Sequence, residues 1–562
     1  MAVTIARVEA APLDPRADQT MVAMRDKVRL ATDVYLPQGR TDRLPTVLVR
    51  LPYDKVGRYT FMPMLAPFIC DRGYAFVVQD VRGKFRSEGE TVPFIHEVED
   101  GYDTLDWVVG QSWSNGAVVM FGDSYYGYTQ WAAVASGHAS LRAIVPRVTS
   151  ADLWFLNWSG EGVTALYGAD YLAHYWVDGP IYDFPVDWSH RPLAEVYDEA
   201  FGAIGKRSRG FDILLEREVQ GKMCPDPFPG GHPFRRLDIP VLHGVGWFDN
   251  IGPDSMRDYV ALTAGPKADL QYLDADSADH ENYRLDEVPV GEDDDHDTSD
   301  DSVQRMIPAY LGPSFEFYDA VLKGDLARQA RVRWHLGNAG WREADEWPPK
   351  GSRELRLYLA RAGRASEDPA AGADGLLTES PQSQTTTARW CHDPDDLVPS
   401  TVENPFAFLF EYPDEGVVER RSDVITFTAE PAGEPLDLVG PAEAWLSVAS
   451  SGPSMHLFAK LLDVAPDGAA HMLTRGQTVV GAPDPDRPVI IDLNHLGYRL
   501  LPGHRLRLQI ASSDFPLYLP HPGTDENPWT AVRAARNEQS LAAGGSRVSY
   551  LSLSVLPAGA RG

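Results

Sequence analysis

The chain has 562 residues, 43% of them hydrophobic, with 51 Lys+Arg against 81 Asp+Glu for a formal charge of −30. That length exceeds one ordinary domain, and the composition excludes wholesale disorder. The negative field excludes general nucleic-acid binding, three cysteines (Cys70, Cys224, Cys391) cannot build a disulfide framework, and no apolar run is long enough to span a membrane.

Short apolar runs at 46–49, 74–78, 117–121 and 143–145, then at 240–242 and 270–273, predict strands buried on both faces of a parallel sheet. Their alternation with helical stretches gives an α/β fold. Between the fourth and fifth runs, residues 149–236 read as an inserted helical cap. Leu193, Val196, Tyr197, Ala200 and Phe201 mark one apolar helix face there, and 211–219 reads as another helix. Residues 286–301 hold nine acidic side chains and no Lys or Arg, which suits a solvated loop. Beyond about 330 the period changes to two, as at Leu355, Leu357 and Leu359, at Leu506, Leu508 and Ile510, and at Leu551, Leu553 and Val555. Turn clusters such as Ala465-Pro466-Asp467-Gly468 separate these runs, so an all-β sandwich is expected. The stretch 362–387 reads as a long polar loop. The expected division is 1–148 with 237–328 for the catalytic domain, 149–236 for the cap and 329–562 for the β domain.

The sharpest local signal is Phe121-Gly122-Asp123-Ser124-Tyr125-Tyr126-Gly127, directly after the third run. A serine on a tight strand-to-helix turn presents its hydroxyl at the carboxyl end of the sheet. Here the second glycine comes one residue later than in G-x-S-x-G. Asp249 ends the fifth run and His280 follows the sixth, so serine, acid and histidine stand in the order used by α/β hydrolases. His243 competes as the base, but lies inside an expected strand. A metal-dependent alternative would use Glu292, Asp293, Asp294, Asp295, His296 and Asp297, but that run lacks an EF-hand pattern and the chain has no HExxH. No metal or other cofactor is expected.

Further motifs resemble the X-prolyl dipeptidyl-peptidase and cocaine-esterase-like serine hydrolases (CocE/NonD type), with their α-amino-acid ester hydrolases and glutaryl acylases. Arg50-Leu51-Pro52-Tyr53-Asp54-Lys55 is similar to the family's R-x-P-Y-x-K loop. Gln79-Asp80-Val81-Arg82-Gly83 with Ser87-Glu88-Gly89 resembles D-x-R-G-x-x-x-S-x-G, and 113–131 resembles the nucleophile region with its late glycine. Tyr318-Asp319, Leu322-Lys323-Gly324, Trp347-Pro348 and Ser512-Ser513-Asp514-Phe515-Pro516 extend the likeness to the C-terminus.

The resemblance implies an α/β-hydrolase sheet with inserted helical cap, followed by a C-terminal jelly-roll β-sandwich. It implies Ser124 as nucleophile, His280 as base, Asp249 as its orienting acid, and an oxyanion hole made by Tyr53 and the Tyr125 N–H. Trp158, Tyr126 and Phe248 would line the substrate pocket, and Asp80, Arg82 and Ser87 would hold the loop beneath it. The expected reaction is hydrolysis of a small ester or amide through an acyl-enzyme. Acyl transfer to an amine or alcohol and X-Pro dipeptidyl cleavage remain open alternatives. Asp276 and Asp279 near His280 suggest a pocket mouth that favours an amine-bearing substrate. A cytoplasmic homo-oligomer, with a dimer favoured, completes the expectation.

Overall fold

The computed structural model describes residues 4–39, 42–154, 162–361 and 375–557. The strands of its first half are β1 (Ala6–Val8), β2 (Asp18–Ala23), β3 (Arg29–Tyr35), β4 (Leu44–Leu51), β5 (Ala75–Asp80), β6 (Ser114–Asp123), β7 (Leu141–Arg147), β8 (Ile181–Asp183), β9 (Val241–Gly246), β10 (Gln271–Asp276), β11 (Val332–Leu336) and β12 (Gly340–Ala344). Ten of them form one sheet in the order β12-β11-β10-β9-β7-β6-β4-β5-β3-β2. The centre, from β5 to β11, is parallel, and antiparallel strands close both edges. The six apolar runs of the sequence are β4, β5, β6, β7, β9 and β10. Every residue of β5 and β9 is buried, which is why these strands read as continuous apolar runs.

Two expectations change here. The sheet runs on to Ala344, past the expected boundary at 328/329, because β11 pairs in parallel with β10 and β12 folds back on β11. Within 362–387, the described part contains strands Gly375–Thr378 and the start of Thr386–His392. Polar composition misleads there, because each strand takes a partner from a distant segment, Ile425–Ala429 for the first and Asn537–Ala543 for the second.

The cap contains the helices Leu166–Tyr175, Asp198–Ile204 and Arg209–Gln220. Ser208 caps the last by accepting the Phe211 N–H, and Gly221 ends it in the left-handed region. The stretch expected as one helix at 193–201 is a 3-10 turn, Leu193–Glu195, followed by the Asp198–Ile204 helix. Leu193, Tyr197, Ala200 and Phe201 are still buried. The spacing therefore reports the buried face and not an unbroken helix. Lys84 ties the cap down, since its Nζ donates to the carbonyls of Tyr175 (2.6 Å), Val177 (3.1 Å) and Pro180 (3.1 Å).

The second half is all β. Eleven strands between Arg353 and Leu556 join in one hydrogen-bonded jelly-roll sheet. Its longest hairpin, Ser454–Val464 with Ala470–Gly481, turns at the expected Pro-Asp-Gly cluster. One apolar cluster spans both halves and joins Val245, Trp247, Phe248 and Leu273 to Leu446, Leu457 and Leu508. Trp247 stacks on Trp347 at 5.1 Å and donates its Nε1–H to the His335 carbonyl at 2.9 Å. No helix among the described residues is long and apolar enough to cross a membrane.

Candidate active site

Ser124 follows β6 with φ 54° and opens the helix Ser124–Ser136. A non-glycine residue in that region is strained and persists only where its surroundings enforce it. Gly122 holds φ 153°, and a Cβ there would stand 2.2 Å from Tyr126 Cδ2. A Cβ at Gly127 would stand 2.5 Å from Thr149 Cγ2, on the segment after β7. The helix crosses that neighbour one residue later than the usual motif anticipates, so the second glycine is at 127 and not 126. Thr149 also donates its hydroxyl to the Ser124 carbonyl at 2.7 Å.

The helix start leaves its first N–H groups without intrahelical acceptors. The Tyr125 N–H is one of them. Its phenol points the other way, donating to Glu97 Oε1 at 2.9 Å and accepting the Phe94 N–H at 2.7 Å. Glu97 also pairs with fully buried Arg50 at 2.8 Å. Arg50 opens the loop that carries Tyr53, so one buried pair braces both sides of the turn. Below that loop, Asp80 accepts the Lys55 N–H at 2.8 Å, Ser87 donates to the Asp80 carbonyl at 2.6 Å, and Arg82 pairs with Asp100 at 2.6 Å. Asp80 and Ser87 thus tie the loop to the segment beneath it.

The Tyr53 hydroxyl meets Ser124, the Tyr125 N–H and the Tyr171 hydroxyl, the last at 3.1 Å. Burial pushes its pKa up to about 12, against the pull of those hydrogen bonds. It therefore stays protonated near neutrality, as a hydrogen-bond donor must. His280 is 7% exposed and its Nδ1 lies 2.7 Å from Asp249 Oδ1. Burial disfavours the imidazolium, but Asp249, Glu281 and Asp123 outweigh it and raise the His280 pKa. Ser124, Tyr53, Asp249 and His280 open onto one cavity of 760 Å³.

The other expectations divide. Phe248 lines the cavity, stacked on Phe408. Tyr126 does not line it; its ring packs edge-on against Tyr53 at 6.1 Å, and its hydroxyl meets Tyr310. Trp158 lies outside the described residues. His243 is a core residue, hydrogen-bonded to Gln271 at 2.9 Å and pushed down to about 4 by burial. Asp276 and Asp279 do not form the pocket mouth. Asp276 pairs with Arg284 at 2.8 Å, and fully buried Asp279 accepts the N–H groups of Leu409, Glu281 and Tyr283. The carboxyl next to the histidine that does face the cavity is Glu281, beside the Tyr59 hydroxyl and pushed up to about 7 by burial, with Asp297 adding to the rise.

The acidic segment is not wholly solvated either. His296 is buried, stacks on Tyr283 at 4.1 Å and donates to the Glu281 carbonyl at 2.6 Å. Sequence reasoning missed Glu281 and weighed His296 only as a metal ligand, because Phe406 and Phe61, far along the chain, pack against them. No group of side chains suited to a metal ion occurs among the described residues.

The cavity is completed by the cap (Tyr167, Asp170, Tyr171, Tyr175) and by the jelly roll (Phe406, Arg475, Tyr518). Comparisons with known proteins agree with this architecture. Residues 26–182 match the X-Pro dipeptidyl-peptidase (S15 family) domain, and 325–551 its C-terminal non-catalytic domain. Cocaine esterase from Rhodococcus sp. (strain MB1 Bresler) is 32% identical over 554 residues, covering 89% of this chain and 91% of that protein. Among solved structures, an alpha-amino acid ester hydrolase superposes with a TM-score of 0.78 at 24% identity, covering 97% of this chain and 98% of its own. A CocE/NonD family hydrolase from Staphylococcus aureus gives 0.64 at 16% identity, covering 96% and 93%. With both family domains matched and 89% of its length aligned with a 32% identical cocaine esterase, the chain is a hydrolase and belongs to the X-Pro dipeptidyl-peptidase (S15) family.

Proposed function

We propose that the protein is a serine esterase that works through an acyl-enzyme on Ser124. The observation that carries this is the convergence at one strained turn: the Tyr53 hydroxyl and the Tyr125 N–H beside Ser124, and the 2.7 Å His280–Asp249 pair on the same cavity. A serine hydroxyl is inert at its own pKa, so His280 takes its proton as the Ser124 Oγ–acyl carbon bond forms. Asp249 fixes the imidazole tautomer and stabilises the imidazolium. Tyr53 and the Tyr125 N–H donate to the oxyanion, each contributing about 3 kcal/mol to the transition state. His280 then returns the proton to the leaving alcohol, and water attacks the acyl-enzyme by the same route.

The cavity favours an amine-bearing substrate. Beyond Asp249 it presents the carboxyls of Asp170, Asp254, Glu281, Glu403 and Asp492 against the guanidiniums of Arg257 and Arg475. Glu281 follows His280 directly and stands among the rings of Tyr59 and Tyr175, a setting that suits an ammonium ion.

A fluorophosphonate probe tests the first reading. The wild type is expected to label and Ser124→Ala to remain unlabelled; labelling that survives the substitution overturns it. For the second, kcat/KM is compared for matched aminoacyl and N-acylated p-nitrophenyl esters. Preference for the free amine is expected to rise as pH passes through about 7 and Glu281 ionises. A flat preference removes the amine.

A further inference from the structure

The residue before Ser124 carries a charge that the chemistry above does not use. Asp123 ends β6 and is 4% exposed. A carboxylate so placed must be paired, and its partners come from three other elements. Arg147, its register neighbour on β7, donates Nε–H to Oδ1 at 3.0 Å. Tyr310, on the helix Asp300–Lys323, donates its hydroxyl to Oδ2 at 2.9 Å. Asn282 donates from Nδ2 to Oδ2 at 3.3 Å, and its own Oδ1 accepts the Arg147 Nη2–H at 2.9 Å. Asn282 stands two residues after His280, with a left-handed φ of 69°. Room for the Arg147 side chain depends on Gly244 of β9, where a Cβ would stand 2.5 Å from Arg147 Cγ.

We propose that Asp123, Arg147 and Asn282 form a positioning bridge that sets the His280 imidazole against the Ser124 hydroxyl. The proposal rests on the serine–histidine reading above. Ser124 follows β6 and His280 follows β10, and two strands, β7 and β9, separate them in the sheet. No shared ladder fixes one against the other. The bridge spans that gap with a single guanidinium, Nε holding the serine turn and Nη2 the histidine loop. Lysine could not do this, since it lacks a planar fork of donors.

The bridge is also an electrostatic lever. The charges that favour protonated His280 are those of Asp249, Glu281 and Asp123. Those that favour charged Arg147 are Asp123, Asp274 and Asp276, with the Tyr310 ring 4.8 Å below its guanidinium. Neutralising Asp123 exposes His280 to an unbalanced Arg147 and lowers its pKa. Neutralising Arg147 leaves Asp123 unbalanced and raises it.

The test measures pH profiles of kcat and kcat/KM on the full chain with a p-nitrophenyl ester. Asn282→Gly keeps the left-handed backbone unstrained and deletes both amide contacts. It is expected to lower kcat about 10- to 100-fold, the effect of an ångström-scale misplacement, while KM changes less than about twofold. Asp123→Asn is expected to move the acid limb to lower pH, and Arg147→Gln to higher pH. Arg147→Lys keeps the charge but not the fork, so it should lose rate with the limb in place. Asn282→Gly and Arg147→Lys leave no unpaired buried charge, so they report on positioning even where Arg147→Gln does not fold. Rates within about twofold of wild type for Asn282→Gly and Asp123→Asn, with an unmoved limb, overturn the bridge. An active, labelled Ser124→Ala overturns instead the reading beneath it.

Discussion

At the scale of single residues, Tyr53 and His280 make the sharpest demands. Tyr53→Phe removes one hydroxyl from a buried site and leaves the ring packing. It should lower kcat about 10²- to 10³-fold with little change in KM, because the proposed mechanism has the hydroxyl act where charge develops. Steady-state kinetics on a p-nitrophenyl ester check this. In the proposed mechanism His280 must be neutral to accept a proton, and its pKa is raised above 6.5. The acid limb of kcat/KM should therefore have its midpoint above that value. Stability should move the other way. A folded pKa above the unfolded one means that the His280–Asp249 contribution is full below about 6.5 and is lost as pH rises through the folded value. Denaturant melts across that window, compared with Asp249→Asn, measure it; an identical pH dependence in the two proteins contradicts the assignment. The order Ser124, Asp249, His280 was legible because each residue stands just past an apolar run. Tyr53 was legible only through its R-x-P-Y-x-K loop. Glu281 was not legible, since a carboxyl after a histidine says nothing of burial until Phe406 and Tyr59 close around it.

Among elements, the link from sheet to cap governs the cavity's shape. Lys84 holds three carbonyls at the end of the helix Leu166–Tyr175 and just beyond it, and Tyr175 packs on Tyr53 at 5.8 Å. Lys84→Met strands those carbonyls. It should destabilise the fold by roughly 2–4 kcal/mol, given about 1–3 kcal/mol for each unmet buried group with partial relaxation. It should also raise KM, because Tyr171 and Tyr175 lose their anchor. Urea titration and saturation kinetics read the two effects separately. Element types were readable from period, two in the jelly roll and continuous apolar runs in the parallel sheet. The last two strands of the sheet, parallel β11 and antiparallel β12, were not. β12 is only partly buried and β11 is short, so neither carries a strong pattern, and their place follows from the ladders of β11 with β10 and of β12 with β11. Tyr126 failed as a pocket residue because its place in the first turn of the helix Ser124–Ser136 turns it toward Tyr310 and the Tyr53 ring.

For the whole molecule, the shared apolar cluster predicts that the two halves unfold together. A calorimetric scan should show one transition for the full chain, and residues 4–344 alone should aggregate, because Trp247 and Phe248 would lose their covers. Two separated transitions would refute this. Net charge gave no hint of that coupling, and the acidic run proved to be partly an inward strap anchored by His296.

The contact between Asp279 and the Leu409 N–H carries one more consequence. It hooks the β-rich half of the chain to the residue just before His280, and the Glu281 N–H bonded to the Phe406 carbonyl repeats the hook on the other side. The histidine is thus gripped from both flanks by the half that performs no chemistry. A chimera exchanging everything after Ala344 for a homologue's sequence would inherit the donor's grip along with its strands. Its turnover would report how well a foreign 404–409 segment seats a resident histidine, and laboratory recombination in this fold should succeed or fail on those two amide contacts.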